Sequence, residues 1–584
     1  MNPQTDYIAD EDLLKIEQDK KSALTFRERK HDDWTENYTL YRDKVITNRL
    51  TQRQTINIPL MRYGLQTILK DIDEAPQLYF KSLDNNQQKE IFYNEYWNRM
   101  SEVNRVAIKD RIDKKQALLF GRTFKKLNIK DGMFSMEIID PQDMLVERHI
   151  DPADLDSSRC VIQTGIYRTL TDIVNNDQYN SSVRKDLESY YSKDSSVEEA
   201  ERNFTALSQR QNRMADMGLI DAFDPIVGET YIELNEVYRR EWDDELEDSQ
   251  LIMYVVASTD GGMFKLFKKP LQEVIGETED NFWSTHFPYT SWAPDVERTD
   301  FWSDGPGDTL RQPNKVLNSW ISQLVENRTL RNFNMHYYDS TNAQFVPQTF
   351  QPIAWGWYPV PGKPADVIQD VVVGDLSESL DEIQYVISVA EKAVAASGTQ
   401  TGEVAQSQVT LGEVQLAVAN AQERTKSMTL FYMDDWKTFG VKYTKMLDAN
   451  IDKLDTVKVS KKGRQSSNLY SREISPKDWL SKSGYKVEVK MKENKEVEDT
   501  NMLQKLNAAK SIMPNNLPLA DIYKKKLLDY AGLNTEEMKE VMDFENQQMM
   551  MNPMMGAVAP GANPMQPTPN PMQPATPPVA NAQI

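Results

Sequence analysis

The densest grouping of residues that could do chemistry is His149, Asp151, Asp154 and Asp156, in RHIDPADLD. Three carboxylates beside an imidazole could hold a divalent cation and activate a water for hydrolysis. The spacing argues otherwise. The glycine that lets a calcium loop turn sharply is missing, and Asp151-Pro152 favours a turn whose aspartates face water and their own backbone amides. The run from Glu241 to Asp248 reads the same way, as a solvated acidic loop. The chain contains no phosphate loop of the GxxxxGKS or GxxxxGKT type, no HExxH pair and no GxSxG elbow. The expectation is therefore a protein with no catalytic residue, no metal site and no cofactor. A nuclease or other metal-dependent hydrolase built on Asp151 and Asp154 is the rival from the enzyme class.

Three further groups suggest contact rather than catalysis. The stretch Thr399 to Gly412, TQTGEVAQSQVTLG, is small and polar with Glu403 as its one charge. Its Gln400, Gln406, Gln408 and Thr410 suit weak, sequence-independent contact with a nucleic-acid backbone, and equally a plain surface connection. Trp355, Trp357 and Tyr358, in VPQTFQPIAWGWYPVPGKP, are of the types that anchor interfaces, and could also form a small local core. Arg311, Lys315, Arg328 and Arg331 could touch phosphate or pair with Glu378, Asp381 and Glu382. Pairing is the reading adopted.

Composition bounds these options. The chain has 584 residues, 39% hydrophobic and 27% charged, which is long enough for several domains of a globular protein. Its 89 acidic and 68 basic residues leave a net charge of -21, so the basic domain of a tight nucleic-acid binder is missing. An acidic chain can still let DNA slide, because few neutralised phosphates mean little affinity from counterion release. Cys160 is the single cysteine, which excludes an intramolecular disulfide framework. The acidic N-terminus has no apolar signal core, and the run Leu251 to Ala257 is too short to span a bilayer, so no membrane role is expected.

The elements that must position these groups follow from periodicity. Trp34, Tyr38 and Tyr41 predict an amphipathic helix, a second helix lies between Pro59 and Pro76, and Glu90 to Leu119 predicts a third, longer one. Apolar alternation around Asp131-Gly132 predicts a hairpin, polar helical composition follows over 170–218, and strands return from Tyr231 to Phe267. NFWSTHFPYTSWAPDVERTDFWSDGPGD, with Trp283, Trp292 and Trp302, predicts a packed irregular loop. Two helices come next. One carries Val316, Trp320, Leu324 and Leu330 with Pro313 in its first turns; the other carries Leu376, Leu380, Ile383, Ile387, Ala390 and Val394 as a heptad-like stripe. A long helix is expected from Glu413 to about Asn450, and the Met- and Pro-rich 547–584 is expected to be disordered.

This order of elements resembles the portal, or head-tail connector, proteins of tailed double-stranded DNA phages, most closely those of short-tailed phages. The resemblance spans roughly residues 30–545 and rests on GPGDTLRQPNKVLNSWISQLVENRTL, MFSMEIIDPQDMLVERHIDP and SGTQTGEVAQSQVTLGEVQLAVANAQER. It implies an α+β, mainly α, portal fold: wing over 1–309, first stem helix 310–333, clip 334–375, second stem helix 376–397 and tunnel loop 398–412. A long helix over 413–455 returns to the wing, 456–546 forms a crown and 547–584 a disordered tail, with no long helical barrel after the crown.

By the same resemblance, Gln400, Gln406, Gln408 and Thr410 lie on the DNA channel. Arg311, Lys315, Arg328, Leu380, Ile383 and Ile387 belong to the stem, and Trp355, Trp357 and Tyr358 dock partners through the clip. The implied function is a homo-oligomeric ring, usually a dodecamer, at a unique capsid vertex of the virion, made in the host cytoplasm. Double-stranded DNA would pass through it without sequence preference during packaging and ejection. Terminase and then tail adaptor proteins would bind the clip, and major capsid and scaffold proteins the wing. A helical scaffold or adaptor of the virion without a DNA channel is the alternative.

Overall fold

A computed structural model describes residues 11–43, 56–72, 76–84, 86–192, 231–244, 247–259, 262–332, 336–338, 363, 368–370, 374, 379–393, 411–462, 469–481 and 484–491. The chain divides into two compact units, 1–459 with 471–493, and 460–470 with 494–584. Only 460–462, 469 and 470 of the second are described, so the architecture below is that of the first.

Three helices open it: α1 (Glu11–Glu28), α2 (His31–Tyr41) and α3 (Leu60–Ile72). Strand β1 (Pro76–Ser82) leads to α4 (Gln87–Val103), capped by the Asn86 side chain accepting from the Gln88 and Lys89 amides, and to α5 (Val106–Phe120). The single helix expected over 90–119 is thus two. Asn104 breaks it: its side chain donates to the Phe134 carbonyl at 2.8 Å and accepts from the Met136 amide at 3.1 Å, and Arg105 takes a left-handed φ of 51°. A side chain committed to a neighbouring strand edge competes with helix continuation. Helix α5 ends at Gly121, whose φ is 81° and where a Cβ would lie 1.9 Å from the Ser303 carbonyl oxygen.

The Asp131-Gly132 turn joins β2 (Thr123–Lys130) to β3 (Met133–Ile139) as expected, with positive φ at both turn residues. After β4 (Met144–Val146), β5 (Cys160–Thr169), α6 (Leu170–Val174) and α7 (Ser181–Ser192) come β6 (Tyr231–Asp243), β7 (Asp248–Thr259) and β8 (Gly262–Pro270). Strands β4 to β8 form one antiparallel sheet in chain order. Ile16 and Ala23 of α1 pack with Leu145, Ile162, Val237 and Val256, whereas Ile173 of α6 and Leu187 of α7 pack with Ile232, Leu234 and Leu266. Period-two alternation therefore gives this sheet two buried faces.

Beyond α8 (Leu271–Ile275), the tryptophan-rich loop is packed and irregular as expected, but contributes β9 (Tyr289–Trp292) beside β2. Trp283 and Trp302 are fully buried, and Trp302 meets Trp34 edge-on at 5.3 Å. Helix α9 (Pro306–Asn332) follows, then the short antiparallel pair β10 (His336–Tyr338) and β11 (Ile368–Asp370), then α10 (Ser379–Ala393). Next comes α11 (Leu411–Ala449), then β12 (Val457–Lys462), β13 (Leu469–Ile474), α12 (Pro476–Trp479) and β14 (Tyr485–Met491). Strand β14 pairs antiparallel with β1, from Pro76↔Met491 to Ser82↔Tyr485, so this part of 456–546 is built into the same unit as the N-terminal region. The fold mixes helix and strand throughout.

Candidate functional site

The helix pair α9 and α10 holds the stem residues singled out from sequence. Proline at N1 starts α9 at Pro306, earlier than expected, and this puts Pro313 inside the helix rather than in its first turn. The turn into it is tied reciprocally: the Asp308 amide donates to the Gly305 carbonyl at 3.0 Å, and the Gly305 amide donates to Asp308 Oδ2 at 2.9 Å. Asp308 Oδ1 also accepts from Asn37 Nδ2 and Arg311 Nη1, both at 3.0 Å. Burial pushes the Asp308 carboxyl above its ordinary value, and these donors oppose the shift without reversing it.

The expected pairing of the α9 cations with acids of the second helix is corrected at Arg311 and Lys315. Arg311 Nη1 lies 3.0 Å from Asp33, its Nε 3.7 Å from Glu36, and Lys315 Nζ 2.6 Å from Glu36, all on α2. The reason is direction. Asn327 Nδ2 donates to the Gly374 carbonyl at 3.0 Å, so the chain returns toward α10 beside the far end of α9. At 1.5 Å rise per residue, Asn327 is about 24 Å along the helix from Arg311. Asp381 and Glu382 lie at the start of α10 and are exposed; Arg328 is exposed as well. Glu378 lies outside the described residues.

One face of α9 performs a task that the sequence reading missed. Asn314 Oδ1 accepts from the Met61 amide at 2.8 Å, Asn318 Oδ1 from the Ile58 amide at 2.8 Å, and Ser322 Oγ from the Ile56 amide at 3.0 Å. Residues four apart share a helix face, so these three side chains run as a rail along which the segment before α3 is laid antiparallel. Asn318 Nδ2 adds a 2.5 Å bond to Asn57 Oδ1. The signal was available in the spacing of four between Asn314, Asn318 and Ser322.

The heptad-like stripe of α10 divides. Ile383 and Ala390 are buried and Ile387 partly so, against a core that includes Leu317, Trp320 and Ile321 of α9. Leu380 is 52% exposed, and Tyr385 and Val389 stand 70% and 42% exposed on the same helix. Val316 and Val325 of α9 are also exposed. Leu376 and Val394 fall outside the described residues. So do Trp355, Trp357 and Tyr358, and Gln400, Gln406, Gln408 and Thr410.

By contrast, the C-terminal half of α11 is seated by buried charges. Lys125 Nζ, fully buried on β2, lies 2.9 Å from Asp113 Oδ2 and also pairs with Asp435. Burial alone would lower the Lys125 ammonium; the two carboxylates outweigh it and hold it raised. Trp292 Nε1 donates to Asp113 at 2.8 Å, Tyr432 donates its hydroxyl to Asp110, and Lys114 pairs with Asp110 at 2.8 Å. Lys442 reaches Asp156 at 2.6 Å and the Tyr289 carbonyl at 2.7 Å.

The carboxylates of 151–156 thereby acquire structural partners. Asp151 Oδ1 accepts from the Ala153 amide and Asp154 Oδ1 from the Asp156 amide, each at 3.0 Å, and Asp156 Oδ1 from the Phe287 amide at 2.8 Å. His149 is exposed. Among the described residues no group of three or more His, Cys, Asp or Glu side chains is placed to hold a metal. A cavity of about 200 Å³ has Arg122, Asp154, Asp156, Asp435 and Lys442 in its lining, and its mixed signs present no single field to a ligand. Among the described residues no helix is long and apolar enough to cross a membrane.

No protein-family model matches the chain, and no curated protein matches it. Among solved structures, a chain from the neck of an empty GTA particle computed with C6 symmetry aligns with 81% of this chain and 90% of its own length. The identity is 9% and the TM-score 0.36, a likeness too loose to carry an argument.

Proposed function

We propose that the chain is the subunit of a portal ring: a non-enzymatic conduit at one capsid vertex through which double-stranded DNA is packaged and ejected. The observation that carries this reading is the packed pair α9 and α10, separated by an excursion and followed by the 39-residue α11, with Leu380, Tyr385 and Val389 left uncovered on α10. Tyr385 and Val389 stand on the face of α10 opposite the Ile383, Ile387 and Ala390 stripe, and Leu380 at the open end of that stripe; in a ring, neighbouring copies would cover them. The net charge of -21 supports the same reading, since an acidic channel gives the phosphate backbone few fixed contacts.

In this reading α9 and α10 are the stem, the excursion is the clip that docks terminase and then tail adaptors, and the stretch around Gln400 to Thr410 faces DNA. The N-terminal α+β region meets capsid and scaffold proteins. Energy for packaging comes from a separate motor. Native mass and negative-stain images of the purified chain test it: a ring with a duplex-wide hole, near a dodecamer in mass, is expected. A monomer or dimer persisting across salt and concentration overturns it, and leaves a scaffold or adaptor without a channel.

A further inference from the structure

Helix α1 covers one face of the β4–β8 sheet thinly. Leu145, Cys160, Ile162, Val237, Tyr254 and Val256 are buried on the sheet side, whereas α1 brings Ile16 and Ala23 to burial and Leu13 and Leu24 only part of the way. Among the described residues, the helical members of this apolar cluster all come from α1. The face is therefore more apolar than the helix that covers it.

Charge makes up the rest of the contact. Lys265 and Lys268 lie 3.0 and 2.9 Å from Asp12, and Arg159 and Arg239 lie 2.6 and 3.0 Å from Asp19. Lys20 donates to Ser258 Oγ at 3.2 Å. Positions 12, 16, 19 and 23 share one helix face, so acidic and apolar side chains alternate along the seat. The pairs open to solvent, the Arg159 and Lys268 side chains being 53% and 40% exposed, so each contributes little and is screened by salt. Arg159 and Arg239 also meet Glu147 and Glu241, at 3.5 and 2.9 Å, so neither loses every partner when α1 lifts. The last turn of α1 is fixed differently: Phe26 joins the core that holds Trp34, and buried Arg27 donates to the Gln142 carbonyl. Helix α1 is thus a lever rooted at its C-terminal end and latched by ion pairs along the rest.

We propose that this face is a docking groove for an acidic amphipathic helix of another protein, and that α1 occupies the groove as an exchangeable internal ligand. The groove sets the chemistry of its occupant. Its apolar strip takes the apolar residues of an incoming helix, and its two cation pairs take carboxylates seven residues apart, as Asp12 and Asp19 are. A nucleic-acid backbone would engage the cations and leave the strip uncovered. The inference is independent of the ring reading.

Two measurements on the full chain test it. The single cysteine, Cys160, is buried in the cluster that α1 closes. Its reaction with a soluble aromatic disulfide is expected to speed up roughly tenfold between about 0.05 and 0.5 M salt. The same acceleration is expected at low salt in Asp12→Asn with Asp19→Asn, while tryptophan fluorescence stays unchanged because α1 carries no tryptophan. A labelled synthetic peptide of residues 11–28 probes the groove. It is expected to bind the double variant roughly tenfold tighter than the unmodified chain, because α1 then competes less. Binding should be lost when the peptide carries the same two substitutions, or when the chain carries Arg159→Glu with Lys268→Glu. A Cys160 rate indifferent to salt in the unmodified chain makes α1 a fixed part of the core and overturns the proposal, whether or not the variants fold. Release of Cys160 without peptide binding, or binding indifferent to the peptide's acids, overturns it as well.

Discussion

The seat of α11 and the α9–α10 pair solve the same problem, placing a long helix, in opposite ways. Around α11, Trp436, Phe439 and Tyr443 are buried to 0%, and the charges that enter the core arrive with partners: Lys125 with Asp113 and Asp435, Lys442 with Asp156. That region is finished within one chain. Along α10 the buried residues are few, and Leu380, Tyr385 and Val389 face outward. A surface completed by its own chain is read by unfolding, and a surface that needs a neighbour is read by assembly.

Breaking the finished region should cost most. Lys125→Met leaves Asp113 and Asp435 buried without their shared cation, and is expected to lower unfolding free energy by about 3–5 kcal/mol. Denaturant unfolding of the full chain checks this; a loss under about 1 kcal/mol would mean that the ion pairs do not hold α11 in place.

The next effect runs in the stabilising direction and depends on pH. Burial pushes the Asp448 carboxyl from its ordinary 3.8 up to about 6, Lys445 opposing, and its Oδ1 is buried without a hydrogen-bond partner. A carboxyl whose folded pKa is raised binds its proton more tightly when folded. Its contribution to stability is therefore most favourable below about pH 4 and is lost as pH rises through about 6. Asp448→Asn removes this penalty, so melting at pH 7 should improve by about 1–3 kcal/mol while melting near pH 4 changes little. An equal shift at both pH values would refute the assignment.

Similar in size is the effect of the rail on α9. Asn318→Ala leaves the Ile58 amide without its acceptor and should cost about 1–3 kcal/mol, with faster amide exchange confined to the segment before α3. At the bottom of the scale for stability, Leu380→Ser with Tyr385→Ser should alter unfolding of the isolated chain by about 0.5 kcal/mol or less, because both side chains already face water. The same pair should weaken assembly in sedimentation velocity. Unchanged assembly would erase the contrast between the two regions.

Local features were legible because their causes are local. Pro59 and Pro76 bracket α3, Asp131-Gly132 turns the β2–β3 hairpin, apolar spacing marks α9 and α10, and helix-forming composition marks α11. The break at Asn104 was not legible, since its cause is the edge of β3, thirty residues away in sequence at Phe134. The partners of Arg311 and Lys315 were misassigned for a related reason: several acidic helices offered carboxylates, and charge alone does not choose among them.

Periodicity, breakers and turn residues act between neighbours in the chain, so the amino-acid order by itself determined where most helices and hairpins run and that the molecule is strongly acidic. Hydrogen bonds and ion pairs act only within a few ångströms, so their partners depend on which elements the packed core brings together. The tertiary structure therefore decided that α2 supplies the acids for α9, that β14 completes β1, and that Tyr385 faces out while Ile383 faces in.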